Sequence, residues 1–447
     1  MAPREQHGPS GEPSGASRPP SSLPDLKYPS YREQAAGPVT VESYLAGRRA
    51  DGGAEGLWRV HDKLYDLTPF IAKHPGGDHW LRVTKGTDIT ELFESHHIAT
   101  LAASTLPRYE VRDAAQPRNS PFTFRDDGFY RTLKRRALPV LAATPDPGFA
   151  PRFNDALVVG SFVFAALAGS TGSYLAATVA ALFITHSTVV AHNFTHRRDN
   201  WRMYYKSLGF MSLAEWRVVH ILSHHMFANT LQDLEISLHE PVLQFLPTAG
   251  KPLLHRAASV LAFLLYAPFR LLQTLPARMG ALRPEDFLPA LYPAVMLLAG
   301  ASVGQALLMW LYLWLVHSLF FHFIAFTVAH HHPDIFHDGD APREDRDWGL
   351  GQLDAVRDRS DHGASRCLVL LLFGDHALHH LFPTVDHCRL AALYPVLRET
   401  LAEFGVDYRF STTWELAVGA FRQLARTAAN TRPPAGVIAC GKRLHAD

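Results

Sequence analysis

ALVVGSFVFAALAGSTGSYLAATVAALFITHSTVVAHNFTH, residues 156–196, runs for 41 residues without Asp, Glu, Lys or Arg and ends in two histidines four apart, His192 and His196. A bilayer span needs about 20 apolar residues, so the stretch can hold two helices, with Gly169-Ser170-Thr171-Gly172 as the turn between them. A second uncharged run, 47 residues from Phe287 to Pro333, allows two more with a break between Gly300 and Gly304. Four transmembrane helices are expected. The 13 residues from Ala257 to Phe269 fall short of a span and are expected to lie in the interface or to pack between helices.

Working outward, His192 and His196 open a series. His220-Ile221-Leu222-Ser223-His224-His225 and His376-Ala377-Leu378-His379-His380 follow. On a helix, residues three or four apart share a face, so His220 with His224, and His376 with His379 and His380, can each project imidazoles together. Zinc is usually satisfied by four ligands, whereas eight imidazoles suit a pair of irons. Among 26 histidines isolated pairs arise by accident, but three clusters, two ending in His-His and each beside an uncharged run or its flanking loops, point to one metal site. A ninth ligand is expected from His330-His331-His332. Three consecutive residues cannot all face one site from a regular helix, so His331 is taken first, with His330 and His332 as alternatives. His317 and His322 lie deeper in the run, where an ionisable group needs a partner, and helix packing accounts for them equally well.

Positive charge flanks both uncharged runs: Lys134, Arg135 and Arg136 before the first, Arg197, Arg198, Arg202 and Lys206 after it, and Arg343, Arg346, Arg357 and Arg359 after the second. Such flanks favour the cytosolic side, and a two-span hairpin returns the chain to the side it left, so all three clusters are expected on one cytosolic face. A net charge of +1 with no basic stripe argues against nucleic-acid binding. Cys367, Cys388 and Cys440 form no metal or disulfide pattern and read as ordinary thiols in a reducing compartment.

Residues 1–37 are rich in Pro, Gly and Ser and are expected to form a disordered leader without a secretory signal. Two strand-like runs follow, Leu57-Trp58-Arg59-Val60 and Leu64-Tyr65-Asp66-Leu67, separated by His61-Asp62-Lys63. Then come the tight turn His74-Pro75-Gly76-Gly77, the segment Gly86-Thr87-Asp88-Ile89-Thr90, and Phe93, His96 and His97. In that order these elements resemble the cytochrome b5 haem-binding domain over residues 38–115. The resemblance implies haem b held between two histidines, with His74 as the first. Adjacent helical residues point roughly 100° apart, so one of His96 and His97 faces the iron, and the resemblance favours His97. Two axial imidazoles leave no open iron position, which suits electron transfer.

Residues 150–410 resemble the membrane fatty acid desaturase superfamily. Its three boxes are matched by His192 and His196, by His220, His224 and His225, and by His376, His379 and His380, the last running into Leu381-Phe382-Pro383. A haem domain ahead of such boxes is similar to the front-end desaturases and, more closely, to the insect-type cytochrome b5-related proteins; front-end enzymes begin the third box with Gln, where this chain has His376. The resemblance implies a small α+β haem domain followed by an all-α membrane domain with a cytosolic histidine-rich cap, and a C-terminal tail over residues 411–447. It also implies two non-haem irons, molecular oxygen, an NADH-cytochrome b5 reductase, a fatty acyl lipid in an apolar tunnel, and the endoplasmic reticulum membrane; Leu308 to Phe326 offer one wall for the tunnel, and lipid contact or helix packing accounts for those side chains equally well. Desaturation is the activity expected. Lipid hydroxylation and a haem electron carrier without lipid turnover are the alternatives.

Overall fold

The computed structural model describes residues 21–34, 39–99, 101–240, 242–251, 253–270, 282–327, 329–362 and 365–434. A small α+β region comes first. Helix Val41–Asp51 starts at Thr40, whose hydroxyl accepts from the Ser43 N–H while the Ser43 side chain answers the Thr40 backbone. The strands β1 (Trp58–Val60), β2 (Lys63–Tyr65) and β3 (Glu110–Asp113) form an antiparallel sheet in that order. Val60 pairs with Lys63, so the hairpin turn is His61-Asp62, with His61 in the left-handed region at φ 54°.

The rest is mainly helical. Three helices among the described residues are long and apolar enough to cross a membrane: Phe149–Thr171, Tyr174–Thr195 and Val303–Thr327. The first two form the hairpin expected around Gly172, which takes φ 71°, and their shared face is built of Ala165, Ala168, Ala176, Ala177, Ala180 and Ala181. Small side chains let the backbones approach closely without a strong hydrophobic drive. The outer faces carry Val159, Val163, Leu175, Leu307 and Leu308 exposed, as lipid contact requires.

The second uncharged run differs from expectation in its first arm. There the chain makes a 3₁₀ segment, Pro284–Ala290, and a helix of eight residues, Leu291–Leu298. Pro289 and Pro293 lack N–H donors and interrupt a regular helix, so the arm falls short of the about 30 Å of a hydrocarbon core. It still runs beside the first hairpin. A Cβ on Gly169 would strike the Met296 backbone, and one on Gly172 would meet the Gln305 side chain, so both turns lie at the same end. His192 and Thr327 therefore share the opposite end.

The expected disordered leader and the expected C-terminal tail both have packed parts. Leu23, Leu26 and Tyr31 are buried, and the Tyr31 hydroxyl donates to the Leu231 carbonyl; three apolar anchors suffice to order residues that their Pro, Gly and Ser neighbours disguise. Residues 1–20 and 35–38 of the expected leader lie outside the described residues. In the expected tail, helix Thr413–Ala425 is amphipathic, capped by Thr412 and Glu415, and packs Phe421 against Phe263. Residues 435–447, with Cys440, also lie outside the description.

Candidate metal centre and haem cleft

The three boxes and His330 meet at the inner end of the helices. Ligand atoms of His192, His196, His220, His225 and His379 lie within 4.8 Å of one another, as do those of His224, His330, His376 and His380. All nine rings are buried. In the first group the His192 Nε2 stands 2.7 Å from that of His220, 3.1 Å from that of His196 and 3.1 Å from that of His379. In the second, the His330 Nε2 is 3.1 Å from that of His224 and 2.8 Å from that of His376. Two nitrogens at right angles on a metal with bonds of about 2.0–2.1 Å sit about 2.9 Å apart, so these spacings match the edges of coordination polyhedra. The donor set fits two metal ions, one with five imidazoles and one with four.

Local structure explains the partition. Arg217–His224 is π-helical, with about one more residue per turn than an α-helix. This aligns His220 with His225, five residues on, their Nε2 atoms 3.0 Å apart, and sends the ring of His224 to the other group. His220 and His224 still share a side as expected, their rings stacked at 5.4 Å and both beside Glu235, but the wider turn gives their Nε2 atoms to different groups. The third box straddles both groups from helix His376–Leu381: His376 and His380, four apart, face one and His379 faces the other.

Partners behind the rings fix which nitrogen points inward. The Nδ1 atoms of His220 and His224 face Glu235 at 2.5 Å and Asp233 at 2.9 Å. Those of His330 and His380 face the Ala355 carbonyl at 3.0 Å and Gln352 at 2.9 Å. Such contacts hold the proton on Nδ1 and leave Nε2 for a metal. Burial drives His220, His225, His379 and His380 well below the usual histidine range, into the neutral form that binds metal. His224 is the exception. Burial disfavours its charge, but Glu235 and Asp233 outweigh that and raise it to about 9. Two acidic side chains behind these rings favour positive charge in the site, though burial pushes Glu235 itself up to about 7.

Sequence reading missed Asp233 and Glu235, although an acidic pair eight and ten residues past His225 was a visible signal. It also placed His331 ahead of His330. The structure brings His330 into the group, while His331 stacks on Phe245 with centroids 3.6 Å apart and His332 bonds its Nδ1 to the Asp334 N–H. His317 is a packing residue, bonded to the Thr185 hydroxyl and the Gly209 carbonyl. Lys206, one of the charges expected to flank the first run, is buried with its Nζ 3.4 Å above the Trp216 ring, and burial pushes its amine well below the ordinary lysine range. Trp216 in turn stacks on His220 at 4.4 Å.

A cavity of about 350 Å³ opens against both groups, reaching His220 of the first and His224, His330 and His376 of the second. Its walls are largely apolar, among them Met211, Trp216, Phe321 and Phe326, with Val39 and Val41 closing one side. Only the inner turns of the expected Leu308–Phe326 wall take part; Leu308 and Leu311 face outward.

The haem cleft is built more simply. His74 and His97 oppose each other with ring centroids 6.2 Å apart. An iron bound at about 2 Å by both Nε2 atoms needs about this separation, so the pair fits a haem iron. The Nδ1 of His74 bonds to the Gly77 carbonyl at 2.7 Å and that of His97 to the Phe93 carbonyl at 2.9 Å, which leaves both Nε2 atoms free. Gly77 takes φ 100°, and a Cβ on Gly76 would come within 2.8 Å of the His74 ring. The helix Thr90–His96 ends at His97, which has φ −114° and ψ 89°. That break sends His97 to the cleft, while the helical His96 turns away and stacks on His196 at 6.2 Å.

This small region is docked, not merely tethered. Trp80, Tyr44 and Tyr31 share an apolar cluster with Ile221 and Leu222 of the second box and Val218 just ahead of it. Arg48 bonds Gln232 at 2.7 Å, and Glu94 pairs with Lys134 at 2.7 Å and with Arg131.

A buried double group of imidazoles at the base of apolar helices, with a two-histidine cleft packed against it, defines a membrane protein of the desaturase class. Residues 169–412 match the fatty acid desaturase family and residues 46–115 the cytochrome b5-like heme/steroid binding domain, and the chain belongs to that desaturase family with a cytochrome b5-like domain ahead of it. It is similar to a cytochrome b5-related protein of Drosophila melanogaster, 43% identical over 91% of this chain and 96% of the relative. A cytochrome b5-related protein of Drosophila virilis is 56% identical over 25% of this chain and 75% of its own length. The Delta(5) fatty acid desaturase A of Dictyostelium discoideum is 25% identical over 87% of this chain and 94% of the relative. No solved structure matches the chain.

Proposed function

We propose that this chain is a membrane di-iron oxidase of lipid acyl chains, a desaturase supplied with electrons by its own haem domain. The observation that carries the reading is the opening of the imidazole centre into a largely apolar cavity of about 350 Å³, a size and lining suited to part of an acyl chain. A saturated chain has no acidic proton for a side-chain base to take; two irons with molecular oxygen supply the oxidant that removes hydrogen from an unactivated methylene.

The chain's own residues do the rest. His192, His196, His220, His225 and His379 hold one iron and His224, His330, His376 and His380 the other, with His330 in place of the expected His331. Asp233 and Glu235 orient two of these rings and offset positive charge. Phe321 and Phe326 exclude water and keep the methylenes beside the second group, while Trp216 and Lys206 brace His220. His74 and His97 hold haem b.

The haem domain spans residues 38–115 and the oxidase domain begins near residue 150, extending to about residue 425 once helix Thr413–Ala425 is counted in it. The first hairpin and the pair formed by residues 284–298 with Val303–Thr327 cross the bilayer four times, the proline-broken arm needing local thinning or its flanks to complete the passage. Both turns then face away from the cytosol, and boxes and haem share the cytosolic face of the endoplasmic reticulum, open to an NADH-dependent flavin reductase. Expression in yeast with lipid profiling, beside a His379→Ala, His380→Ala control, tests the reading. A new unsaturated lipid absent from the control supports it. A hydroxylated lipid instead means the same centre inserts oxygen, and no new lipid with haem intact favours an electron carrier.

A further inference from the structure

The ring of His96 lies between the two sites. It stacks on His196, planes 24° apart, and is the one ring contact among the described residues between residues 41–115 and either imidazole group. Its Nδ1 lies 2.9 Å from the Ser95 hydroxyl, and its Nε2 is buried without a partner. An apolar side chain would fill the space without leaving a buried polar atom unsatisfied, so packing alone does not explain an imidazole here. On its other side, one peptide bond joins it to His97, whose ring faces His74.

We propose that His96 is the residue through which the haem cleft is electronically coupled to the five-imidazole group, a positioning residue of the electron path; the inference rests on the di-iron reading above. Tunnelling falls steeply with every through-space gap, and this route has one: covalent bonds from His97 to His96, then ring against ring to His196. Each passage turns one ferrous haem ferric and one ferric non-haem iron ferrous. No bond of the His96 ring forms or breaks and no proton moves. The electrons come from an external flavin reductase or, in the laboratory, from dithionite.

The test uses the full-length protein in lipid nanodiscs, loaded with haem and iron. Haem is reduced anaerobically with substoichiometric dithionite and its reoxidation followed by absorbance, with haem spectrum and non-haem iron measured separately. The wild-type chain is expected to show a fast reoxidation phase whose amplitude tracks non-haem iron, and which the His379→Ala, His380→Ala control lacks. His96→Leu is expected to lose the fast phase with haem spectrum and iron content unchanged, and His96→Phe, which keeps a stacked ring, to regain part of it. A fast phase retained in His96→Leu overturns the proposal. Loss of haem or iron from both variants also overturns it, since His96 then acts as scaffold. Absence of a fast phase in the wild-type chain defeats the donor role of the haem domain itself, a separate failure.

Discussion

Two places on this chain gather imidazoles, and they are built by different rules. In the haem cleft two rings oppose each other across 6.2 Å, each steadied by a backbone carbonyl, His74 by Gly77 and His97 by Phe93. At the base of the helices nine rings crowd together, steadied in part by carboxylates, His220 by Glu235 and His224 by Asp233. The difference follows from what each cofactor brings. A porphyrin carries its own equatorial nitrogens and charge, so the protein adds two axial bonds and neutral partners suffice. A bare metal ion brings neither, so the chain must provide the protein ligands and the counter-charge as well.

The comparison breaks most visibly if either ligand set is removed. Replacing His196, His225 or His380 with Ala is expected to abolish lipid oxidation and strip non-haem iron, because each ligand's bond also stabilises its neighbours' binding, while the haem spectrum stays intact. Metal analysis beside optical spectra decides it. If all three variants keep turnover, the rings do not form one centre.

The reverse experiment removes the cleft. His74→Ala should lose bound haem with the non-haem iron retained, and lipid oxidation should fall strongly in cells with little free cytochrome b5. Separate cytochrome b5 should rescue only part of the activity, since the attached domain gains from high effective concentration and, in this fold, from a fixed docking surface. Full activity without haem or supplement would show that the electrons enter elsewhere.

A smaller effect is expected where the two parts meet. Burial alone would raise the carboxyl of Glu94, but hydrogen bonds from His61 and Arg131 and the charge of Lys134 hold it well below its ordinary 4.5. A depressed carboxylate stabilises the folded form above its unfolded pKa, and that contribution starts to fall below about 4.5 and is lost as pH drops toward the much lower folded value. Helix Thr90–His96 should therefore loosen from helix Phe129–Ala143 in acid. Glu94→Ala, which leaves Arg131 and Lys134 without their buried partner, should weaken docking at neutral pH by about 3 kcal/mol and flatten the acid response. Hydrogen-exchange protection of residues 90–96 at pH 7 and near pH 4 reads both; equal protection in the two proteins at pH 7 would remove Glu94 from the joint.

What could be read from the sequence tracks which forces act locally. The long uncharged run became the hairpin Phe149–Thr171 and Tyr174–Thr195 because length and apolarity alone decide a span. The cleft was equally plain, since Gly76 and Gly77 are dictated by a turn of four residues. The partition of the nine rings was hidden because it depends on a π-helix over Arg217–His224, a backbone choice that tertiary packing makes and periodicity does not announce. The shortened arm Leu291–Leu298 had its signal in Pro289 and Pro293, but hydropathy outweighed them. Residues 21–34 were obscured by composition, which averages away Leu23, Leu26 and Tyr31.

His330 and His331 show the same limit at one peptide bond, and they give the comparison its finest test. No local rule separates them, because the chain has just left helix Val303–Thr327 and side-chain direction there is set by what the loop packs on. His330 has the Ala355 carbonyl behind it at 3.0 Å and a ring contact with His376. His331 has Phe245 against its face and His337 at 3.3 Å. His330→Ala should therefore lower non-haem iron and activity as the box variants do. His331→Ala should keep its iron and lose only about 0.5–1.5 kcal/mol of aromatic packing, seen as a modest drop in thermal stability. Since His331 also borders the cavity, its loss should change which acyl lengths are accepted more than how fast the best one reacts. Iron lost from His331→Ala and kept in His330→Ala would exchange their roles and return the ninth ligand to the residue that sequence reading placed first.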